Sequence, residues 1–422
     1  MDKNFLNKNV VVKVIIILIM LTYTLPNFSS TDRIGNQYLY LSIINTLSIF
    51  YLFYFKINGL PEIFKKSLTI KTYCLFMISS LISISYATNL PEALITLSQY
   101  FNIFTSFLIF LIVIQKIDSK IDFILKLFLV ALVIELLFSY IPILNDLENG
   151  AIKSRSMDYI GLSSNINITS FSVVFKLPIV FYFLNKTNST LQRIVFFLLL
   201  LATFFLIFIL GTRGALLGMV ICFSIYIFDL FKNNFELKNK IKSASIILFA
   251  LIVSTIFNLI VLKDTSSKNV LNRAASISLS TNDGSVNQRL RYYKQGLQQF
   301  KENPLMGVGL GNWKLNSIEY DKNDISGYVI PYHAHNDFIQ ILAEQGFFGM
   351  FFYLMIFLST LAFIFKNKIL DSYDTRFVVL LSMILVFILD SMLNFPIARP
   401  INQIQIMLVL SSVIINKIDN EK

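Results

Sequence analysis

Apolar residues in this chain come in long, nearly unbroken runs, near 10–28, 38–55, 70–87, 94–115, 121–144, 168–184, 193–210, 213–231, 243–262, 347–365, 376–394 and 400–416. Each run is close to the roughly 20 residues that an α-helix needs to cross a hydrocarbon core of about 30 Å. Inside a bilayer every backbone polar group must bond internally, so only helices or a closed barrel can span it, and runs this long and continuous exclude the barrel. The pattern predicts an all-α polytopic integral membrane protein with about 12 transmembrane helices. No small-residue cleavage site follows the first run, so we read it as a retained helix and not as a signal peptide. Cys74 and Cys222 both fall inside runs, where they read as small apolar residues.

The pattern breaks once at length. Positions 263–346 are of mixed polarity and form by far the longest connection. Loops longer than about 12–15 residues are usually functional or disordered. This one has helical periodicity, glycine turns and its own aromatic residues, which predicts an ordered cap. The expected organisation is helices 1–9 over 1–262, one large loop with amphipathic helices over 263–346, and helices 10–12 over 347–422.

Composition agrees with a membrane protein: mean hydropathy is +0.67 and only 14% of residues are charged. The formal charge of +11 is mainly a topology signal. With the N-terminus inside and twelve spans, the inner segments collect Lys3, Lys8, Lys56, Lys65, Lys66, Lys71, Lys116, Lys120, Lys186, Arg193, Lys232, Lys238, Lys240, Lys242, Lys366, Lys368, Arg376, Lys417 and Lys422. The short outer loops hold only Arg33, Lys153, Arg155, Arg213 and Arg399. The positive-inside rule then places both termini in the cytoplasm and the large loop on the outer face. No nucleic-acid partner is expected from this distribution.

Both histidines of the chain lie in HAHNDFIQILAEQGFFGM (333–350). Asn336 can cap the following helix, which places His335 just outside a helix N-terminus and keeps its ring neutral, as a general base requires. Gly346 and Gly349 mark the junction with the tenth run. A zinc site from His333, His335 and Asp337 is the rival, but no further histidine exists and neither cysteine is within reach of the loop. Upstream, NQRLRYYKQGLQQFKENPLMGVGLGNW (287–313) predicts a helix, a proline stop and a glycine-rich turn. With Arg289 at zero and 100° per residue, Phe300, Tyr293, Leu297 and Leu290 fall at about 20°, 40°, 80° and 100°. Arg289 then borders the apolar face, toward protein or membrane, while Arg291 at about 200° points to water. Arg289 serves either in a site or as a snorkelling side chain at the membrane surface. GVGLG (307–311) lacks a surrounding βαβ unit and carries no dinucleotide signal.

Arg213 sits in GTRGALLG (211–218), a tight turn between two spans, where a guanidinium can present its planar fork to a phosphate or simply anchor the interface. Two charges fall inside runs. Glu135 is roughly 13 Å and Lys176 roughly 12 Å from the outer ends of their helices, so they are expected to face each other or line one cavity.

GTRG at an outer turn, then QRLRYYKQGLQQFKENPLMGVGLGNW, then HAHNDFIQILAEQGFFGM together resemble the bacterial O-antigen ligase and O-antigen polymerase family, with GLSSNINITSFSVVFKLP (161–178) a weaker likeness. Tyr293 stands where the family usually has an aromatic residue, commonly tryptophan. The resemblance implies a GT-C-like, metal-independent glycosyltransferase of the bacterial inner membrane, without a cofactor and with its active site on the periplasmic side. The donor would be a glycan on undecaprenyl diphosphate. The acceptor would be lipid A with its core oligosaccharide for a ligase, or a second lipid-linked glycan for a polymerase. Carried over residue by residue, His335, Arg289 and Arg213 become catalytic candidates, with His333 beside them. Arg291, Arg155, Lys176, Asn336 and Tyr293 are candidates for holding substrate. Ligase is favoured over polymerase, and transfer to a protein hydroxyl is a related possibility. The rival of another class is a lipid-linked oligosaccharide flippase, which would need its charges near the bilayer midplane, where only Glu135 and Lys176 qualify.

Overall fold

The structure is a computed structural model that describes residues 3–25, 32–57, 59–150, 152–163, 165–232, 237–262, 269–277, 284–322, 331–366 and 375–420. Among these residues there are sixteen α-helices and no strand. The first eight are α1 (Lys3–Met20), α2 (Arg33–Tyr54), α3 (Leu60–Lys66), α4 (Leu68–Ser83), α5 (Leu90–Ile114), α6 (Lys120–Glu148), α7 (Ile166–Lys186) and α8 (Thr190–Leu210). They are followed by α9 (Arg213–Lys232), α10 (Leu237–Val261), α11 (Val270–Ala275), α12 (Gly284–Glu302), α13 (Trp313–Asp321), α14 (Asp337–Lys366), α15 (Thr375–Leu393) and α16 (Pro400–Asn420).

Each of the twelve apolar runs carries a helix, and nine of the helices among the described residues are long and apolar enough to cross a membrane. The chain is therefore an all-helical multi-pass membrane protein. The difference from twelve has a physical reason at α2. That helix is long enough, but it contains Asn36, Gln37, Ser42, Asn45, Thr46 and Ser48, which lower its hydropathy. These side chains hold it to α5: the Asn45 amide donates to the Asn102 carbonyl at 2.9 Å, and the Ser106 hydroxyl to the Asn45 side chain at 3.0 Å. Apolar stretches of α1 and α16 are shorter than a full span.

The chain divides into two units. The first comprises 1–120, 279–366 and 391–422; the second comprises 121–278 and 367–390.

In the first unit α14 packs along α4, and α16 along α5. Lipid tails are as apolar as leucine, so small polar contacts decide which helices associate. The α4–α14 seam shows this: Ser359 donates to Thr69 at 3.0 Å, Thr69 and Thr360 share a hydroxyl contact at 3.1 Å, and Ser80 donates to the Gln345 side chain at 3.0 Å. Phe76 closes the seam between the Tyr100 and Tyr353 rings, 5.6 and 5.4 Å away. α14 is not straight. At Gly346 the backbone turns to φ 67°, a left-handed conformation that breaks the helix into two segments at the expected junction. The chain from Pro304 to Gly311 fits into that break, with the Phe347 N–H donated to the Pro304 carbonyl at 2.8 Å.

In the second unit α7 is the central helix, buried along nearly its whole length, and α8 and α9 pack against it. The expected charge pair is present: Lys176 Nζ lies 3.1 Å from Glu135 Oε2, both fully enclosed. A second buried pair, Lys240 with Asp229 at 3.2 Å, ties α10 to α9.

Candidate functional site

In the first unit the site is built at the start of α14. Asn336 caps it as expected, its side-chain oxygen accepting from the Ile339 N–H at 3.1 Å. His335 precedes the cap with φ 54°, a left-handed conformation that few non-glycine residues adopt and that only surrounding contacts can hold. One such contact comes from α12, whose Tyr293 hydroxyl lies 3.2 Å from the His335 carbonyl. The imidazole of His335 lies nearly parallel to the Tyr292 ring at 6.2 Å and edge-on to Phe395 at 5.0 Å. His333 stacks on the same Phe395 at 4.3 Å.

This packing sets the protonation state. Burial first, then the charges of Arg289 and Arg399, lower the pKa of His335 to about 4. Burial, followed by Arg399 and His335, lowers His333 to about 3. Both rings are neutral at physiological pH. The Nδ1 atoms of both are buried without a hydrogen-bond partner among the described residues.

The orientation of α12 differs from the expected one. Its buried residues are Tyr292, Gln295, Gly296 and Gln299, whereas Leu297 on the apolar face is 42% exposed. The helix packs on α14 and α13 by the face that carries Tyr292, Gln295, Gly296 and Gln299. Arg291 is consequently not turned to open water. It is half-buried, with its guanidinium 5.6 Å from the Tyr292 ring. Arg289 and Arg291 flank the same buried face, one on each side. An amphipathic wheel ranks faces by hydropathy alone, and here packing on α13 and α14 decides which face is buried.

Asp337, the third member of the possible zinc set, is tied elsewhere: its Oδ2 accepts from the Ile397 N–H at 3.1 Å and from the Tyr353 hydroxyl at 3.4 Å. Among the described residues no group of three or more His, Cys, Asp or Glu side chains is placed to hold one metal ion. GVGLG is structural as well. Its Val308 and Gly309 N–H groups donate to the Ala343 and Glu344 carbonyls at 2.9 Å each, and the Gly311 N–H to the Glu344 carboxylate at 2.9 Å.

The second unit gathers three arginines at the turn that begins GTRG. Gly211 ends α8 at φ 55°, and its carbonyl accepts from Arg155 Nη1 at 3.0 Å and from Arg273 Nε at 2.9 Å. Arg213 is the first residue of α9 and donates through Nη1 to the Ser276 carbonyl at 3.1 Å. Arg155 has φ 59°, so this cluster too includes a side chain on left-handed backbone. Arg213 and Arg155, 58 positions apart, meet at one turn. Arg273 escaped the sequence reading because nothing around it in VLNRAAS is periodic or glycine-rich. Lys176 lies elsewhere in this unit: its ammonium contacts Glu135, the Ser172 carbonyl at 2.9 Å and the Ser172 hydroxyl at 2.7 Å. Those contacts take up all three of its N–H donors, which argues for a structural role over the expected substrate contact. A largely apolar cavity of about 340 Å³ opens among α6, α8 and α10, lined by Tyr140, Leu144, Leu147, Phe205 and Phe257.

Residues 196–354 match a family model described as O-antigen ligase. The matched stretch includes Arg213, Arg273, Arg289, Arg291, Tyr293, His333, His335 and Asn336; Arg155, Lys176 and Arg399 lie outside it. No curated protein matches the chain.

Proposed function

We propose, on the premise that residues 196–354 form an O-antigen ligase family domain, that the chain moves a glycan from undecaprenyl diphosphate onto an acceptor hydroxyl. The family supports ligase- or polymerase-type glycosyl transfer with lipid-linked glycan substrates. The observation that carries the finer reading is His335: a neutral imidazole on strained backbone, beside Arg289, inside that domain.

The chemistry follows from these groups. His335 takes the proton of the acceptor hydroxyl as its oxygen bonds to the anomeric carbon of the donor sugar. The bond from that carbon to the diphosphate oxygen breaks, and the leaving group departs with the electron pair. Arginine forks suit the diphosphate because they are permanently charged and match phosphate geometry. They stabilise charge that develops as the bond breaks, and no metal is required for that role. Arg289 supplies one such fork in the first unit. The roles of Arg213 and Arg155 rest on the family resemblance and on their convergence at the Gly211 turn. The apolar cavity of the second unit has the lining expected of a site for part of the polyprenyl chain. On this reading the protein lies in the bacterial inner membrane with both termini cytoplasmic, and the reaction takes place on the periplasmic side.

The acceptor favoured is lipid A with its core oligosaccharide, with a second lipid-linked repeat unit as the alternative within the same family. The test is transfer by the purified chain from a lipid-diphosphate-linked glycan, in the presence of chelator, with lipid A-core or with no added acceptor. Core-dependent product that is lost in His335→Ala supports a ligase with an imidazole base. Product that lengthens without core indicates a polymerase, and transfer to neither revives a transport function.

A further inference from the structure

Arg399 lies ahead of α16, outside the O-antigen ligase match, in the sequence FPIARP (395–400). Its backbone is held on both sides: its N–H donates to the Pro396 carbonyl at 3.1 Å, and its carbonyl accepts from Gln403 at 3.1 Å. The guanidinium carbon lies 4.9 Å from the centroid of Phe395. That same ring carries His333 at 4.3 Å and His335 at 5.0 Å. One aromatic side chain therefore groups a cation with both imidazoles.

The surroundings are built for an incoming group. Tyr38 of α2 is 6% exposed, and its hydroxyl has no hydrogen-bond partner among the described residues. It lies close enough to Arg399 for the two groups to interact electrostatically, and burial draws the Arg399 pKa down to about 10. His333 Nδ1 and His335 Nδ1 are enclosed and unpartnered as well. Buried polar atoms are nearly always satisfied, and these three all interact electrostatically with one guanidinium, a grouping that suits a bound ligand. A guanidinium and a phenol both donate, and Arg289 adds a further positive charge beside His335. The chemistry that satisfies such a set is an oxyanion with several acceptor oxygens.

We infer that Arg399 and Tyr38 form a phosphate-binding subsite next to the two histidines. The ligand is a phosphate group, carried either by the lipid-diphosphate donor or by the acceptor glycolipid. The subsite's part in transfer rests on the reading of His335 as the base; its binding of phosphate does not.

The test uses the full chain in lipid nanodiscs. Affinity for inorganic pyrophosphate is compared among wild type, Arg399→Gln, Arg399→Lys and Tyr38→Phe. The expected result is at least tenfold weaker binding for Arg399→Gln, partial retention for Arg399→Lys and a several-fold loss for Tyr38→Phe, which removes only a hydroxyl. Steady-state kinetics then separate the sources: a raised KM for donor assigns the donor diphosphate, and a raised KM for acceptor assigns the acceptor phosphate. Should Arg399→Gln fail to fold, Arg399→Lys and Tyr38→Phe decide. Wild-type pyrophosphate affinity in the folded variants, or no binding by the wild type, overturns the subsite. Absence of sugar transfer in every form would instead sink the transferase reading, and the binding comparison would still decide this one.

Discussion

The Tyr293 hydroxyl lies 3.2 Å from the His335 carbonyl and 3.2 Å from the Met392 carbonyl, so one phenol on α12 bridges the strained histidine and the end of α15. This contact secures the backbone of the candidate base at its least relaxed residue. Tyr293→Phe removes it without changing ring volume. A hydrogen bond of this kind contributes about 1 kcal/mol net, so kcat is expected to fall roughly three- to tenfold with donor KM little changed. A rise in KM with unchanged kcat would show that Tyr293 binds substrate and does not position His335.

The helices and the tyrosine in this bridge differ in how far they can be read from the chain. Apolar runs locate the membrane helices because hydrocarbon thickness imposes a length on each of them. Glu135 and Lys176 were legible as a pair because equal depth leaves buried opposite charges few other partners. Asn336 as a cap and Gly346 as a break follow from local backbone chemistry. The face of α12 was not legible: Gln295 and Gln299 are buried and Leu297 is exposed, the reverse of a water-soluble helix. Arg273 and Arg399 carry no local pattern at all, because each acquires its neighbours only when distant segments pack.

The protonation of His335 gives a pH signature. Its pKa is lowered by burial, by Arg289 on α12 and by Arg399 ahead of α16, to about 4. The neutral ring is the active form, so activity is present above this value and lost as pH falls through it. We expect kcat/KM to stay level from pH 8 to pH 5 and to decline toward pH 4. Arg289→Gln removes one repelling charge and is expected to move the acid limb upward. His335→Ala should lower the rate by about 10²–10⁴-fold, the range for a lost general base. An acid limb that persists unchanged in His335→Ala would assign the titration to another group.

The Lys176–Glu135 pair predicts a stability pattern distinct from any catalytic one. Lys176→Met leaves a carboxylate enclosed opposite an apolar side chain, and Glu135→Gln leaves an ammonium opposite a neutral amide. Each single change is expected to cost about 3–5 kcal/mol, and the double variant to recover most of that loss. Thermal unfolding in detergent reads this directly. Additive losses would mean that the 3.1 Å contact is not the source of the stabilisation.

Gly346 allows a second stability test, within the first unit. A β-carbon there would stand 2.3 Å from the Leu305 carbonyl oxygen, on backbone at φ 67°. Gly346→Ala therefore combines a clash with left-handed strain of about 1–3 kcal/mol. The segment 304–311 is expected to leave the break in α14, with a lower Tm and faster proteolysis near Leu305. An unchanged Tm would show that the clamp adjusts without loss.

Arg213 tests whether the arginine cluster of the second unit binds an anion. It opens a helix of 20 residues, whose dipole favours negative charge at that end. Its guanidinium donates to the Ser276 carbonyl at 3.1 Å, and the fixed planar fork of a guanidinium is the geometry that a phosphate takes bidentately. A lysine has the charge without the fork and cannot keep both partners in one geometry. Arg213→Lys is therefore expected to raise donor KM about tenfold, a loss of about 1.4 kcal/mol, and Arg213→Ala to lose still more. Inhibition by inorganic pyrophosphate should weaken in parallel, because the same fork is read without the sugar or the lipid. If Arg213→Lys retains both the donor KM and the pyrophosphate inhibition of the wild type, a single point charge is sufficient there, and Arg213 acts as an interfacial anchor.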